Sequence, residues 1–339
     1  MIRDSARAIV PADRSLDRIR KARFHGAGYS REVMAQATEL GWPMMWLTEE
    51  NGGFGMGMRE VCALMEELGA GLVPEPILSA MMAGALLQEN LPEPATTGDA
   101  VIVTAWQDRS GSLEWHGGAA GSRLAGTKVY VSGAAGADLF AVPTACGVAV
   151  IHRDTAGLAI ETQETLDGGY MGTLRFDDVA ADFVPCGHVE AVIGKATLAH
   201  AAYLLGLSDA AFAITLDYLR IREQFGRPIG SFQSLQHRAT EMKLQLELTR
   251  AAIEATARRI DTGAGAIERQ QGVARCHLRA GSLAMLVARE AIQMHGAMGI
   301  TDEADIGLYV RKAMTEANLF GAPTQQRRRL AEFLTENAA

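Results

Sequence analysis

Between Tyr218 and Arg238 the chain reads YLRIREQFGRPIGSFQSLQHR. A helix carrying Arg220 and Arg222 must break across Gly226, Pro228 and Gly230, and Ser231 is placed to cap the next helix. Such a break aims cations and amide donors at one turn. Arg222 could grip a pyrophosphate with two parallel hydrogen bonds, and Phe225 could cover a flat heterocycle. On spacing alone a plainer reading stands beside this one: a charged helix end with a buried Phe. A second segment, QMHGAMGITDEADIGLYVRKA from Gln293 to Ala313, sets glycines directly after a helix, where a positive φ ends it. His295 within it reads more readily as a structural histidine than as a catalyst. The cluster GGFGMG, Gly52 to Gly57, lacks the preceding strand that a dinucleotide fingerprint needs, so it reads as a turn between helices. Arg327, Arg328 and Arg329 could meet phosphates, although a solvated helix face gives the same pattern.

The elements that would carry these groups follow from hydrophobic periodicity. Ser30 is an N-cap for a helix running to Leu40 and stopped by Gly41. Met58 to Leu68 has Val61, Leu64, Met65 and Leu68 at helical spacing and stops at Gly69, and Ile77 to Leu87 forms a further apolar helix. LPEPATTGD, Leu91 to Asp99, reads as a linker. From Ala100 to about Val189 the texture changes to short β-prone runs, VIVTAW, SLEWHG, KVYVSGA, DLFAVPT, GVAVIH, LAIETQ and TLRFDDV. Their even spacing favours an antiparallel sandwich or barrel, and the absence of helix-length segments between them argues against a doubly wound sheet. Helical period then returns. Met242, Leu246, Thr249 and Ile253 mark one face of one long helix; Val273, Ala280, Leu283 and Val287 mark a stripe on another. Long helices with short links make a bundle. The expected order is a helical domain over 1–98, a β-domain over 99–188 and a helical bundle over 189–339.

Composition bounds the partners. The chain has 339 residues, with 32 Lys plus Arg against 40 Asp plus Glu and a formal net charge of −8, so its surface repels polyanions and nucleic acid is excluded as a partner. Cys62, Cys146, Cys186 and Cys276 form no CxxC pair and no metal-ligand spacing, which reads as reduced thiols, no metal and a cytoplasmic setting. The N-terminus mixes both charge signs without a signal-peptide core, and the weakly polar stretch Ala196 to Ala213 contains His200, Tyr203 and Asp209, so no membrane span is expected.

Together REQFGRPIGSFQSLQHR, QMHGAMGITDE, ELGWPMMWLTEENGGFGMGMREVCALMEELGAGLVPEP and GTKVYVSGAAGADLFAV resemble the acyl-CoA dehydrogenase family in order along nearly the whole chain. The resemblance implies a mainly α fold with an N-terminal helical domain, a middle β-domain and a C-terminal four-helix bundle. It also implies FAD, an acyl-CoA substrate, and an electron-transfer flavoprotein as acceptor. By motif position Arg222 resembles the arginine on the FAD diphosphate, and Gln224 and Phe225 resemble residues lining the same cofactor. Gln233, Gln293 and Gly296 match positions that reach FAD across a subunit interface.

Departures shape the expected function. The family's Thr-Glu or Ser-Glu step is replaced by VTAWQDRSGS, leaving Thr104 and Ser112 as polar partners without the Glu. Removing an α-proton from an acyl thioester requires a carboxylate within reach. The two positions where the family keeps that Glu hold Phe320 and Ala196 here, and Glu190 lies more than a turn upstream, so the catalytic base is unknown. The expectation is a base-lacking subunit of a heteromeric acyl-CoA dehydrogenase, in a heterotetramer or otherwise a homo-oligomer, acting on a bulky acyl-CoA such as a steroid side chain. An oxygen-using flavoprotein of the same fold and a flavin-free scaffold subunit are the alternatives.

Overall fold

The computed structural model describes residues 2–109, 118–120 and 123–336. In chain order its helices are α1 (Ile2–Ser5), α2 (Asp17–Ala22), α3 (Arg31–Glu39), α4 (Met58–Ala70), α5 (Ile77–Leu87) and α6 (Glu93–Thr97), then α7 (Val189–Ile221), α8 (Gln233–Asp261), α9 (Ala266–His295), α10 (Ile306–Glu316) and α11 (Pro323–Glu336). The strands are β1 (Ile102–Thr104), β2 (Gly118–Ala120), β3 (Arg123–Ser132), β4 (Leu139–Thr144), β5 (Gly147–His152), β6 (Leu158–Glu164), β7 (Tyr170–Ala180), β8 (Phe183–Val184), β9 (Glu223–Gln224) and β10 (Arg227–Pro228). Backbone contacts divide them into two compact units, one of Asp17–Gly57 with Pro74–Ala196 and one of Met1–Leu16, Met58–Val73 and Thr197–Ala339.

The first unit holds two four-stranded sheets, β1-β4-β5-β8 and β2-β3-β7-β6. β4 is buried at every position, as a strand covered on both faces must be, whereas β6 is an exposed edge. The expected antiparallel pairing holds except between β1 and β4, which run parallel with Ile102 opposite Leu139. β1 packs on the all-round apolar helix α5, to which Ser79 ties Thr104 by its hydroxyl and its carbonyl. The SLEWHG run lies outside the described residues. Ser30 caps α3 as expected, accepting from the Val33 amide at 3.2 Å. The Leu91–Asp99 segment is not a plain linker: Pro92 precedes a short helix, α6, which Gly98 ends with a left-handed backbone.

In the second unit α9 packs against α8, α10 and α11, and α4 packs against α8. Met242, Leu246, Thr249 and Ile253 on α8, and Val273, Ala280, Leu283 and Val287 on α9, are all buried, as their spacing required. Gly69 does not end its helix; α4 continues to Ala70. The glycine is there for closeness instead: a Cβ at Gly69 would lie 2.0 Å from the Tyr203 carbonyl oxygen, and one at Gly206 would lie 1.8 Å from that of Glu66. Helices α4 and α7 thus touch backbone to backbone. α7 is long and apolar enough to cross a membrane by length and composition, yet 83% of its most apolar window is buried in the fold.

Because neither carbonyl can retreat without displacing a helix, Gly206→Ala is expected to destabilise the chain by about 3 kcal/mol, the upper end for overpacking. Urea unfolding of the variant beside the unsubstituted chain measures the difference.

Candidate functional site

The Arg222–Gln233 turn is a hairpin. β9 and β10 pair antiparallel with Gln224 opposite Arg227, and the two loop residues, Phe225 and Gly226, have φ of +55° and +75°. Positive φ at both positions is the pattern of a type I′ turn, whose twist matches its strands. Glycine adopts it freely; phenylalanine does so at a cost of about 1–2 kcal/mol. The Phe225 ring is not buried but 91% exposed, packing only edge-on to Phe232 at 6.1 Å between centroids. Arg227 stacks on the other aromatic, 4.3 Å above the Phe232 ring. Arg220 is paired with Asp217 at 2.8 Å. Arg222 is exposed, and among the described residues no side-chain partner meets its guanidinium. Its backbone is fixed at both ends, the amide donating to Tyr218 and the carbonyl accepting from Ile229. Ser231 does not cap α8; its hydroxyl donates to the Pro228 carbonyl at 2.7 Å, and the helix starts at Gln233 after Phe232. The serine thus holds the end of the hairpin's return strand.

Tyr218, one turn before Arg222, links this hairpin to the other predicted segment. Its hydroxyl donates to the His295 carbonyl at 3.3 Å and its ring stacks on His295 with centroids 4.4 Å apart. Gly296 then ends α9 with φ +61°. On the next helix Arg238 pairs with Glu290 at 2.5 Å, so Gln233 at the start of α8 and Gln293 in the last turn of α9 stand at the same end of the bundle. Gln224, Gln233, Gln293 and Gly296 are all exposed. His295 is structural, as expected: Nδ1 meets the Ala291 carbonyl at 2.8 Å, and burial lowers its pKa. Arg327 to Arg329 lie on an exposed helix face, with Arg328 paired to Glu332 at 2.9 Å.

The two positions expected to carry a base are apolar surroundings in the structure as well. Ala196 is fully buried on α7. Phe320 sits in the α10–α11 turn with φ +56°, and its ring lies 5.2 Å from that of His200. Glu190 is exposed in the first turn of α7. Thr104 is buried, and its hydroxyl proton goes to the Ser79 carbonyl, so the group is committed to holding β1 on α5. Ser112 lies outside the described residues.

Two features were not anticipated. Tyr130 stands 60% exposed from β3 with φ +55°, where the β3–β7 register shifts between Lys128 and Val131. A bulge re-aims a side chain that strict alternation would place on the face of Lys128. Lys128 itself is buried and paired with Asp108 at 2.7 Å; burial lowers its pKa and Asp108 works against that. The other feature is a buried polar chain. His200 Nε2 lies 2.9 Å from Glu316, His200 Nδ1 lies 3.1 Å from His277 Nε2, and Lys312 reaches the second oxygen of Glu316 at 2.8 Å. Burial would raise the pKa of Glu316, but Lys312 and His200 together hold it down at about 2. Burial and the neighbouring His200 hold His277 neutral. The one sequence signal was a histidine interrupting an apolar helix. The four cysteines are free thiols; Cys62 and Cys276 are buried, which pushes their pKa values up, that of Cys276 to about 11.

With this geometry in hand, comparison with known proteins defines the class. The family models for the C-terminal and N-terminal domains of acyl-CoA dehydrogenase match residues 189–335 and 1–90. The chain belongs to the acyl-CoA dehydrogenase family. It is 28% identical to the acyl-CoA dehydrogenase IpdE2 of Mycolicibacterium smegmatis, over 97% of this chain and 96% of that protein. The ChsE4–ChsE5 complex of Mycobacterium tuberculosis superposes with a TM-score of 0.88 at 27% identity, over 99% of this chain and 96% of that one. A variant of the steroid ACAD Tcur3481–Tcur3483 shares the fold, with a TM-score of 0.89 at 24% identity, over 99% of this chain and 97% of the other.

The neutral His277 has a pH consequence. An unfolded histidine takes a proton below about pH 6.5, and this one resists it while folded, so its contribution is whole above that pH and lost as pH falls. The depressed Glu316 contributes above pH 4.5 and loses that contribution as pH falls toward 2. Unfolding free energy is expected to drop between pH 6.5 and 5 by about 1.4 kcal/mol per pH unit for each histidine held neutral. In urea titrations His277→Gln should flatten that slope, leaving the smaller part due to His295.

Proposed function

We propose that this chain is a subunit of an FAD-dependent acyl-CoA dehydrogenase in which a partner chain supplies the proton acceptor. The observation that carries the reading is the hairpin: an Arg222 guanidinium that meets no side-chain partner among the described residues, beside an exposed Phe225 that is held in a costly backbone conformation. An aromatic ring left in water on a strained loop is half of an interface, because strain of this kind persists where a site uses it. The residues present fit a flavin nucleotide. Arg222 can donate two parallel hydrogen bonds to a diphosphate, and Phe225, Gln224 and Gln233 surround the same turn. Gln293 and Gly296, brought to that end of the bundle by Tyr218 and Arg238, would meet the cofactor of a neighbouring protomer. Bound FAD would supply the hydride acceptor for α,β-desaturation of the thioester.

The chain's own residues bind and orient, and they abstract no proton. Phe320 and Ala196 have no acid–base group. The nearest carboxylate in sequence, Glu316, is buried, ionised and already shared between Lys312 and His200. A base-free chain is useful only beside one that has a base, which favours a heteromer; the ChsE4–ChsE5 complex offers a precedent for two unlike chains. Phe320 in place of a carboxylate also suits a bulky apolar acyl group, of which a steroid side chain is one kind, and an electron-transfer flavoprotein would be the acceptor. The −8 charge and free thiols fit a cytoplasmic protein.

The test is co-expression with the chain encoded beside it, followed by native mass spectrometry. Two unlike chains with fewer flavins than chains is the expected result, and a flavin-free assembly would point to a scaffold subunit. Arg222→Ala should weaken FAD retention about 10- to 100-fold, the range for losing a charged hydrogen bond. The chain alone with FAD should leave flavin absorbance unbleached by any acyl-CoA, and rapid bleaching would refute the shared base.

A further inference from the structure

His200, His277, Glu316 and Lys312 come from three helices, α7, α9 and α10, to one place that water scarcely reaches. Burying an ion pair is costly unless its geometry is good and its remaining hydrogen-bonding positions are used. Here they are used in order. An ionised Glu316 can only accept, so His200 carries a proton on Nε2; its Nδ1 faces His277. With both nitrogens engaged inside the protein, His200 has no lone pair to offer a substrate. Its ring still meets an aromatic neighbour: Phe320 packs against it at a tilt of 40°, with centroids 5.2 Å apart. The backbone beneath that aromatic ring is equally constrained. Gln326, itself buried, donates to the Phe320 carbonyl at 2.7 Å, the Leu319 amide donates to the Glu316 carbonyl at 3.0 Å, and both Phe320 and Gly321 have positive φ.

We infer that His200 is a positioning residue whose ring, locked by Glu316 on one side and His277 on the other, sets Phe320 as a fixed aromatic wall of the acyl pocket. The inference rests on the reading above that Phe320 faces the acyl group. Lys312 keeps Glu316 ionised, Glu316 holds the Nε2 proton of His200, and His277 fixes the ring's rotation. The wall therefore keeps one orientation, and an aromatic wall of fixed tilt selects acyl groups by shape.

The test places 4-fluorophenylalanine at position 320 of the full chain and reads its fluorine resonance in His277→Leu, His277→Gln and Glu316→Gln. A single narrow line is expected in the otherwise unsubstituted chain. It should shift and broaden in His277→Leu and Glu316→Gln and return in His277→Gln, whose amide can still hydrogen-bond His200 Nδ1 through its oxygen or its nitrogen. An unmoved line in variants that lose thermal stability would overturn the inference and leave the cluster a structural one. A measurement that needs no destabilising variant is the His200 Nε2 proton in the unsubstituted chain. It should resonate far downfield with a cross-peak to the Phe320 ring, and its absence would equally overturn the inference. These readouts need neither flavin nor substrate, so they stand even if the complex proves inactive. In an active complex His277→Leu should raise KM for acyl-CoA about tenfold, or about 1.4 kcal/mol, with little change in kcat. A responsive fluorine line with an unchanged KM would overturn the placement of Phe320 in the pocket.

Discussion

The contact on which the bundle depends is between two backbones. Helices α4 and α7 meet where Gly69 lies against the Tyr203 carbonyl and Gly206 against that of Glu66, and no side chain larger than hydrogen fits at either point. The crossing fixes the axial position and rotation of α7. Everything chemical in this unit hangs from that helix: His200 beside the α10–α11 turn, Tyr218 against the end of α9, and Arg222 at the entry to the hairpin. A shift of α7 by one residue would turn each of them about 100° away from its partner.

The polar groups divide into those the fold uses up and those it leaves available. His200, Glu316 and Lys312 satisfy one another in a low-dielectric interior, where a missing partner would cost far more than the pair gains, and His277 closes the chain through Nε2 alone. Thr104 and Ser231, whose hydroxyls invited a functional reading, spend their protons on backbone carbonyls. Arg222 is different. Its neighbours Arg220 and Arg227 find an aspartate and an aromatic face, while its own guanidinium meets none among the described residues. A guanidinium placed on the hairpin without an acid beside it is one that a ligand's anionic group could meet.

Membership of the acyl-CoA dehydrogenase family does not by itself supply the chemistry, because activity resides in a site and not in a fold. Phe320 and Ala196, the two positions where the resemblance implies a carboxylate, carry side chains that cannot take a proton. Phe320 is held in a left-handed turn by a buried glutamine and packs against a histidine hydrogen-bonded to a buried glutamate. Such a turn is over-determined, which is how backbone strain survives in a folded chain.

Most of the architecture was legible in the sequence, because helix and strand periods are local properties of side-chain pattern. The N-cap at Ser30, the ends of α5 and the buried faces of α8 and α9 needed no tertiary information. The motif around Arg222 was legible too, since Gly and Pro dictate a turn wherever they fall. What the sequence could not decide was anything set by an approach between distant segments. Gly69 read as a helix stop because a glycine's local meaning is conformational freedom, whereas its role is to admit the backbone of a helix more than a hundred residues later. Phe225 could be read as buried or exposed until the hairpin turned it outward. The histidine–glutamate chain joins residues 77 and 116 apart along the chain, a spacing with no period. Only the packing of three helices around one small volume could bring those groups within hydrogen-bonding distance and, by desolvating them, fix which of them carry charge.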